Sequence, residues 1–277
     1  MPSGGVETEA GAAKAAGRDF FRRALALKTR FELDLDTHIS LKHRYVYLMV
    51  GKAASSTVTY HLQCAEYRGT RYQPADVNSR QQSPHLAPFQ LSQGQFGKIM
   101  TQRRYRKLTF VRNPYTRLLS CYLHRIVGMP EMNPSKKALI KRVRGIDPAR
   151  LSFADFVAIV ADMENRQMER HWAVQHDAVL YPLIAYDFIG RQESLVEDLV
   201  KLEALLFGKP VFDRAALGSV NKAQMTTGAA AKLSEHYTDR LAARVAERYA
   251  LDFDTFGYSR DLGDALSSRG GALALPA

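Results

Sequence analysis

Residues 45–57 read YVYLMVGKAASST, and they carry the pattern on which the fold prediction rests. An apolar run of β-forming residues at 45–50 leads into a loop of glycine, lysine, alanine and hydroxyl residues, and then into a helical stretch to about Glu66. Two further segments repeat this order, with apolar runs at 108–111 (LTFV) and 185–189 (AYDFI). Short apolar strands that alternate with helices predict an α/β fold, a P-loop-like parallel sheet flanked by helices on both faces.

The composition is that of a globular protein that attracts anions. The chain has 277 residues, and 39 Lys and Arg against 28 Asp and Glu give a formal net charge of +11. It has neither an apolar stretch long enough to cross a membrane nor the pattern of a secretory signal peptide. Its two cysteines, Cys64 and Cys121, do not have the spacing of a metal site. These features predict a cytoplasmic protein. We expect a disordered tail over 1–17, a single folded domain over 18–260 and a flexible tail over 261–277.

The loop after the first strand has the chemistry of a phosphate site. Its glycine allows a tight turn, its alanines let an anion approach the backbone amides at the start of a helix, and its hydroxyl residues and lysine add donors and charge. An ordinary N-capped helix would explain the same residues. The Walker pattern of ATP and GTP sites is absent, because it needs glycine at position 46 and a hydroxyl residue at position 53. The residues concerned are Gly51, Lys52, Ala53, Ala54, Ser55, Ser56 and Thr57.

A second polar motif, VRNPYTRLLSCY at 111–122, follows the next strand. Arg112 ends that strand, and Ser120 lies two turns into the following helix, on the side that also carries Arg117 and His124. An anion could bind Arg112 in a bidentate manner and also accept a hydrogen bond from Ser120. A local ion pair of the arginine and a bond from the serine back to the helix backbone would be the structural alternative.

Taken together, the two motifs resemble the carbohydrate sulfotransferase family. Members of that family transfer a sulfuryl group from 3′-phosphoadenosine-5′-phosphosulfate (PAPS) to an acceptor hydroxyl. The shared elements are K-x-x-S-S-T after one strand and F-V-R-N-P-Y-x-R-L-L-S-x-Y after another, followed in the family's order by HWAVQ (171–175), YDFIGRQESL (186–195), SVNKA (219–223) and YALDFDTFGY (249–258). The resemblance covers roughly residues 40–260 and implies the sulfotransferase fold, with a single catalytic domain.

The resemblance also implies roles for individual residues. The first loop would hold the 5′-phosphosulfate, with Lys52 as a catalytic residue, and Arg112 and Ser120 would hold the 3′-phosphate. A later loop would cover the nucleotide, and no metal is expected because the sulfuryl group carries less charge than a phosphoryl group. The cofactor-binding residues implied in this way are Gly51, Lys52, Ala53, Ala54, Ser55, Ser56, Thr57, Arg112, Ser120, Asn221 and Lys222.

The acceptor hydroxyl needs a general base, and the sequence leaves its identity open. His85 resembles by position the base of some glycan-sulfating relatives. His171 in HWAVQ is the second candidate, where it would line an acceptor groove with Trp172. Valine stands at position 174, where the family often has proline. Further alternatives are His61, His124, Glu66 and Asp76.

These features predict a sulfotransferase that acts on a hydroxyl of a glycan, a glycolipid or a similar acceptor. A P-loop-type nucleotide or metabolite kinase is one alternative, and a basic non-catalytic module that binds nucleic acid or anionic polysaccharide is another. The basic amphipathic helix expected from Arg18 to Phe31 leaves peripheral membrane contact open. Arg191, at the third strand, would face either the cofactor cleft or a surface ion pair. The acceptor and the oligomeric state are not specified by the sequence.

Overall fold

The computed structural model describes residues 4–72, 76–129, 133, 136, 137, 139, 150–218 and 227–267. Four strands within these ranges form one sheet in the order β1-β2-β3-β4. The pair β1–β2 is antiparallel, whereas β2, β3 and β4 run parallel. The three predicted parallel strands are therefore confirmed, and an antiparallel strand extends the sheet beyond them. The strands are β1 Thr37–Ser40, β2 Tyr45–Leu48, β3 Arg106–Val111 and β4 Phe188–Arg191.

Helices connect and cover these strands. A π-helical turn over Tyr122–Val127 continues the fifth helix. No helix in the described ranges is long and apolar enough to cross a membrane. The helices are α1 Gly4–Leu27, α2 Arg30–Asp36, α3 Ser55–Tyr67, α4 Gln93–Thr101, α5 Pro114–Cys121, α6 Phe153–Ala161, α7 Gln175–Ala178, α8 Leu195–Phe207, α9 Leu233–His236, α10 Asp239–Arg248 and α11 Ala250–Phe256.

Alternation of side chains along the strands places a core on each face of the sheet. Tyr45 and Tyr47 of β2 point to one face, where they pack with β3 residues and with apolar residues of α3 and α8. Val46 and Leu48 point to the other face, into a larger core that includes α1, α4, α5 and α6. The expectation of an α/β fold with helices on both faces of the sheet is thus confirmed.

The third parallel strand lies further along the chain than the sequence indicates. Gly190 and Arg191, which we expected to form the turn after this strand, are its last two residues. A Cβ atom at Gly190 would lie 2.3 Å from the ring of Phe110 on β3, so a glycine inside β4 makes room for that ring.

The ends of the chain also differ from the expected boundaries. Helix α1 begins at Gly4 rather than at Arg18. Its residue Gly17 crosses α4 so closely that a Cβ atom at Gly97 would lie 2.0 Å from the Gly17 Cα. Near the other end, Ala265 is fully buried within the segment that we expected to be a flexible tail. The domain limits themselves remain a prediction, and residues 268–277 lie outside the described ranges.

Candidate active site

The two polar motifs line a single cavity of about 670 Å³ at the carboxyl ends of the parallel strands. The guanidinium of Arg112 donates a hydrogen bond of 3.2 Å to the backbone carbonyl of Lys52, so the two loops touch directly. Ala53 is not part of the lining, because its side chain is buried in the core. Asn221 and Lys222 lie outside the described residues. The predicted site residues that meet at the cavity are Gly51, Lys52, Ala54, Ser55, Ser56, Thr57, Arg112, Ser120 and His171.

The backbone of the first loop turns in an unexpected way. The left-handed residues are Lys52 (φ 69°) and Ala54 (φ 57°), whereas Gly51, which we expected to supply the turn, has no positive φ. Glycine at position 51 instead allows the loop backbone to lie close to His171, because a Cβ atom there would lie 3.2 Å from the His171 ring. A left-handed backbone costs a non-glycine residue about 1–2 kcal/mol, so the surrounding contacts must hold this loop in place.

Arg117 provides one of those contacts. Its side chain is buried, and its Nε donates to the Gly51 carbonyl at 3.0 Å. Its Nη1 donates to the carbonyl of Ala173 at 2.7 Å. The arginine that we expected to share a face with Ser120 therefore ties the first loop to the HWAVQ segment, and it does not line the cavity.

Positive charge dominates the cavity wall. Among the described lining residues there are five Lys or Arg side chains and no Asp or Glu: Lys52, Arg80, Arg112, Arg125 and Arg170. Burial, with a further contribution from neighbouring arginines, lowers the pKa of Lys52 to about 8. A site with this charge distribution favours a multiply charged anion.

Two segments further along the chain fix the backbone of Arg112. The side chain of Gln175 accepts a hydrogen bond from the Arg112 amide at 2.9 Å and donates to the Arg112 carbonyl at 2.7 Å. The amide of Gln175 in turn donates to the carboxylate of Asp252 on α11 at 2.9 Å. The HWAVQ and YALDFDTFGY motifs therefore fix the backbone at the end of β3. This places the side chain of Arg112 next to Thr116, and the Arg112 Nε donates a hydrogen bond of 2.9 Å to the Thr116 hydroxyl.

Arg191 of strand β4 and Glu193 just after it also support the site without lining the cavity. Glu193 accepts a hydrogen bond from the Asn113 amide at 2.8 Å and another from the Tyr258 hydroxyl at 3.0 Å. Arg191 neither faces the cavity nor forms a surface ion pair, contrary to both expectations. It is buried, donates to the carbonyl of Phe256 and lies 4.5 Å from the ring centre of Tyr258.

The wall next to Ser120 includes the end of the loop that we expected to cover the nucleotide, through residues that we had not named as site residues. The hydroxyls of Ser120 and Thr227 lie 3.2 Å apart and share a hydrogen bond. The three following residues, Gly228, Ala229 and Ala230, also line the cavity, and Gly228 is left-handed with φ 60°. A run of small residues and a hydroxyl, TTGAAA at 226–231, was the available signal in the sequence.

The structure does not bring His85 to the cavity. Its side chain is 3% exposed, and its Nε2 lies 2.7 Å from the hydroxyl of Tyr45 on β2. Burial, followed by the charge of Arg80, lowers the pKa of this imidazole to about 3. Trp172 is also elsewhere than expected, because its ring lies in the core against Phe156 and not in an acceptor groove.

Three of the remaining base candidates are also away from the cavity lining. His61 is buried against Phe212, with its Nε2 3.3 Å from the carbonyl of Ala216. Glu66 accepts from the Tyr45 hydroxyl at 3.3 Å, and Asp76 accepts from the backbone amide of Asn78.

His171 does line the cavity, within a chain of polar contacts. Its Nδ1 lies 2.7 Å from the carboxylate of Glu169, and its Nε2 lies 2.6 Å from the guanidinium of Arg125. Burial lowers the pKa of His171, although Glu169 opposes that effect. The π-helical turn brings both Arg125 and His124 to the cavity. His124, the remaining base candidate, lies there with Ser120, on whose side of the helix we expected it, whereas the sequence indicated neither the π-helical turn nor the place of Arg125.

The comparison with known proteins agrees with this geometry. The model of the "Sulfotransferase family" matches residues 36–259. The chain belongs to the sulfotransferase family. Carbohydrate sulfotransferase 11 of Rattus norvegicus and that of Mus musculus are each 27% identical to it over 240 residues, which cover 78% of this chain and 65% of theirs. Carbohydrate sulfotransferase 14 of Homo sapiens is 28% identical over 167 residues, which cover 56% of this chain and 43% of its own.

The chain therefore spans less than two thirds of the length of these relatives. No solved structure matches the chain.

Asp36 links the cavity to the N-terminal helices. This buried carboxylate accepts from the ammonium of Lys28 at 2.8 Å and from the Nε of Arg170 at 3.1 Å. Burial alone would raise the pKa of Asp36, but the two cations outweigh that effect and keep the pKa below its ordinary value. Lys28, which precedes the residues matched by the family model, thus helps to hold the cavity residue Arg170.

We predict that Lys28→Met destabilises the protein by roughly 3 kcal/mol, because it leaves the buried Asp36 carboxylate with only Arg170 as its charged partner. The measurement is urea unfolding followed by circular dichroism. Arg22→Ala is the matched control, because it removes an exposed ion pair with Asp19 and should cost no more than about 0.5 kcal/mol. Equal stability of Lys28→Met and the wild type would contradict the role assigned to this ion pair.

Proposed function

We propose that this protein transfers the sulfuryl group of PAPS to a hydroxyl group of a carbohydrate, either a glycan or a glycolipid. The observation that carries the proposal is the convergence of two anion-binding motifs in one cavity, with Arg112 hydrogen bonded to the Lys52 backbone. A donor that carries phosphate at both ends of an adenosine fits such an arrangement. Membership of the sulfotransferase family and the similarity to proteins named carbohydrate sulfotransferases support the reaction and the acceptor class.

In this proposal the first loop binds the 5′-phosphosulfate. The amides at the N-terminus of α3, the hydroxyls that follow and the Lys52 ammonium surround the phosphate that leaves. Sulfuryl transfer resembles phosphoryl transfer, in which charge builds up on the leaving oxygen of an in-line displacement. A donor placed at that oxygen typically contributes about 3–4 kcal/mol to the transition state.

The second motif binds the other end of the donor. Arg112 and Ser120 receive the 3′-phosphate, next to Thr227, and they align the sulfuryl group with the acceptor. Asn221 and Lys222 keep their proposed role of covering the nucleotide. We also propose that the protein acts in the cytoplasm, on the support of its two unpaired cysteines, Cys64 and Cys121.

A transfer assay tests the function. The protein is incubated with PAPS that carries radiolabelled sulfate and with a panel of p-nitrophenyl glycosides, glycolipids and polysaccharides, and the labelled products are separated. We expect label on at least one carbohydrate and none when the donor is ATP labelled at its terminal phosphate. Phosphate transfer from ATP without sulfate transfer would instead support a kinase. Salt-sensitive binding of DNA or heparin without affinity for the product nucleotide, 3′-phosphoadenosine-5′-phosphate (PAP), would support a non-catalytic module.

The site for the 3′-phosphate predicts a preference between two nucleotides. By calorimetry, the wild type should bind PAP at least tenfold more tightly than AMP, since hydrogen bonds to a charged group contribute about 1.5–3 kcal/mol. Ser120→Ala should weaken PAP binding and leave AMP binding nearly unchanged, so that AMP serves as the internal control. Arg112→Lys should weaken the binding of both nucleotides, and that of PAP more, because the guanidinium also holds the carbonyl of Lys52 in the first loop. Equal affinities of the wild type for PAP and AMP would remove Arg112 and Ser120 from the donor site.

The lowered pKa of Lys52, about 8, predicts how PAP binding depends on pH. The ammonium is charged below this pKa, and a bound phosphate raises the pKa further, so binding takes up a proton at higher pH. The affinity for PAP should therefore be constant near pH 7 and fall as the pH rises above about 8, by up to tenfold per pH unit. Lys52→Met should bind more weakly at pH 7 and show no such fall, whereas a wild-type affinity that is unchanged up to pH 9.5 would contradict the prediction.

A further inference from the structure

The π-helical turn after α5 directs two basic side chains into the cavity. Helix α5 ends at Cys121, and the turn over Tyr122–Val127 carries His124 and Arg125, which both line the wall beyond Ser120. A π turn inserts an extra residue into a helix and so changes the direction in which the following side chains point, and such turns are frequent at functional sites. This turn therefore adds an imidazole and a guanidinium to the site.

The neighbouring His171 has both ring nitrogens engaged. A guanidinium can only donate, so the Nε2 of His171 accepts from Arg125 at 2.6 Å, and its Nδ1 carries the proton that is donated to Glu169 at 2.7 Å. The Nε2 could take a further proton only by losing the contact with Arg125. This arrangement suits a residue that orients Arg125 and not one that removes a proton from a substrate.

The same reasoning applies to His38, which also lines the cavity. Its Nδ1 accepts from the guanidinium of Arg80 at 2.7 Å, so the proton of the neutral ring lies on Nε2. That Nε2 is buried and has no hydrogen-bond partner among the residues that the structure describes. His38 therefore has no nitrogen with which to accept a proton from a bound molecule.

His124 differs from both of these rings. It lines the cavity and is only half-buried. Neither of its ring nitrogens is hydrogen bonded to a residue that the structure describes; Nδ1 is buried, whereas Nε2 is not among the buried atoms without a partner. Burial, followed by the charges of Lys52, Arg125 and His171, lowers its pKa to about 4, so the ring is neutral near pH 7. An anionic donor bound at Lys52 would offset those charges and raise the pKa of His124 towards the range in which a general base is most effective.

We propose that His124 is the catalytic base of the sulfuryl transfer, and that His171 is a positioning residue that orients Arg125. This inference rests on the proposed function. The acceptor oxygen forms a bond to sulfur, and the bond between sulfur and the bridging oxygen of the 5′-phosphate breaks with its electron pair left on the phosphate. The hydroxyl proton passes to the Nε2 of His124, since the Nδ1 is buried, and then to solvent, and the products are the sulfated acceptor and PAP.

The test compares His124→Ala with His171→Ala, using radiolabelled PAPS and the p-nitrophenyl glycoside that the wild type sulfates fastest. We expect His124→Ala to lower kcat by about 100-fold or more, with KM and PAP affinity within about twofold of the wild type. Added imidazole should restore part of that kcat, because it can occupy the space of the missing ring and accept the proton. His171→Ala should mainly raise KM and should not respond to imidazole, since its loss releases Arg125. Thermal unfolding of both variants checks that they are folded.

Three results would overturn the role of His124. The first is a His124→Ala variant that keeps more than a third of the wild-type kcat. The second is a His124→Ala variant that is folded and inactive but does not regain activity with imidazole. The third is that imidazole restores the activity of His171→Ala and not that of His124→Ala. A wild type that transfers no sulfate from PAPS to any carbohydrate of the panel would overturn the proposed function and the role of His124 with it. An active wild type that is matched by His124→Ala would overturn the role of His124 alone.

Discussion

The hydrogen bond from the Arg112 guanidinium to the Lys52 carbonyl is the contact on which the site depends. It joins the ends of two parallel strands, so that two loops separated by some sixty residues of sequence form one wall. A buried guanidinium is stable only when its donors find acceptors, and here Thr116 and the Lys52 carbonyl supply them. Gln175 fixes the backbone of Arg112 on both its amide and its carbonyl. The position of one arginine is thus specified by residues from three separate segments of the chain.

The distribution of charge follows a consistent plan. The charged side chains in the described wall of the cavity are all lysine or arginine, whereas the carboxylates lie outside the lining and hold the wall residues in place. Like charges in a confined cavity repel one another, and the lowered pKa of Lys52 reflects that repulsion together with burial. An anion that binds against these cations reduces their mutual repulsion. Part of the free energy of binding therefore comes from the cluster of cations that the fold holds together. The carboxylates that support the wall are Asp36 on Arg170, Glu169 on His171, Glu193 on the Asn113 amide and Asp252 on Gln175.

The conspicuous sequence motifs therefore divide into two physical classes. The glycine, lysine and hydroxyl loop and the Arg112–Ser120 pair lie at the cavity, where they meet the donor in the proposed function. The HWAVQ, GRQES and YALDFDTFGY segments mostly supply side chains that fix the backbone around Arg112. Buried polar contacts of this kind are costly to lose, since the removal of one partner leaves the other without a hydrogen bond. The N-terminal helices join the same network through Lys28 and Asp36.

The sequence by itself determined the three strand–loop–helix units and the two anion-binding motifs. Those features depend on local patterns: apolar runs make strands, Asn113 and Pro114 start a helix, and small residues after a strand expose amides to a ligand. The tertiary structure alone decided which of the candidate histidines line the cavity and which isolated arginines complete its wall. The sequence favoured His85 as the base and left His124 as an alternative, yet His85 is buried against Tyr45 while a π-helical turn directs His124 to the site. A side chain's neighbours come from distant segments, and the path of a π turn depends on packing, so neither follows from local sequence patterns.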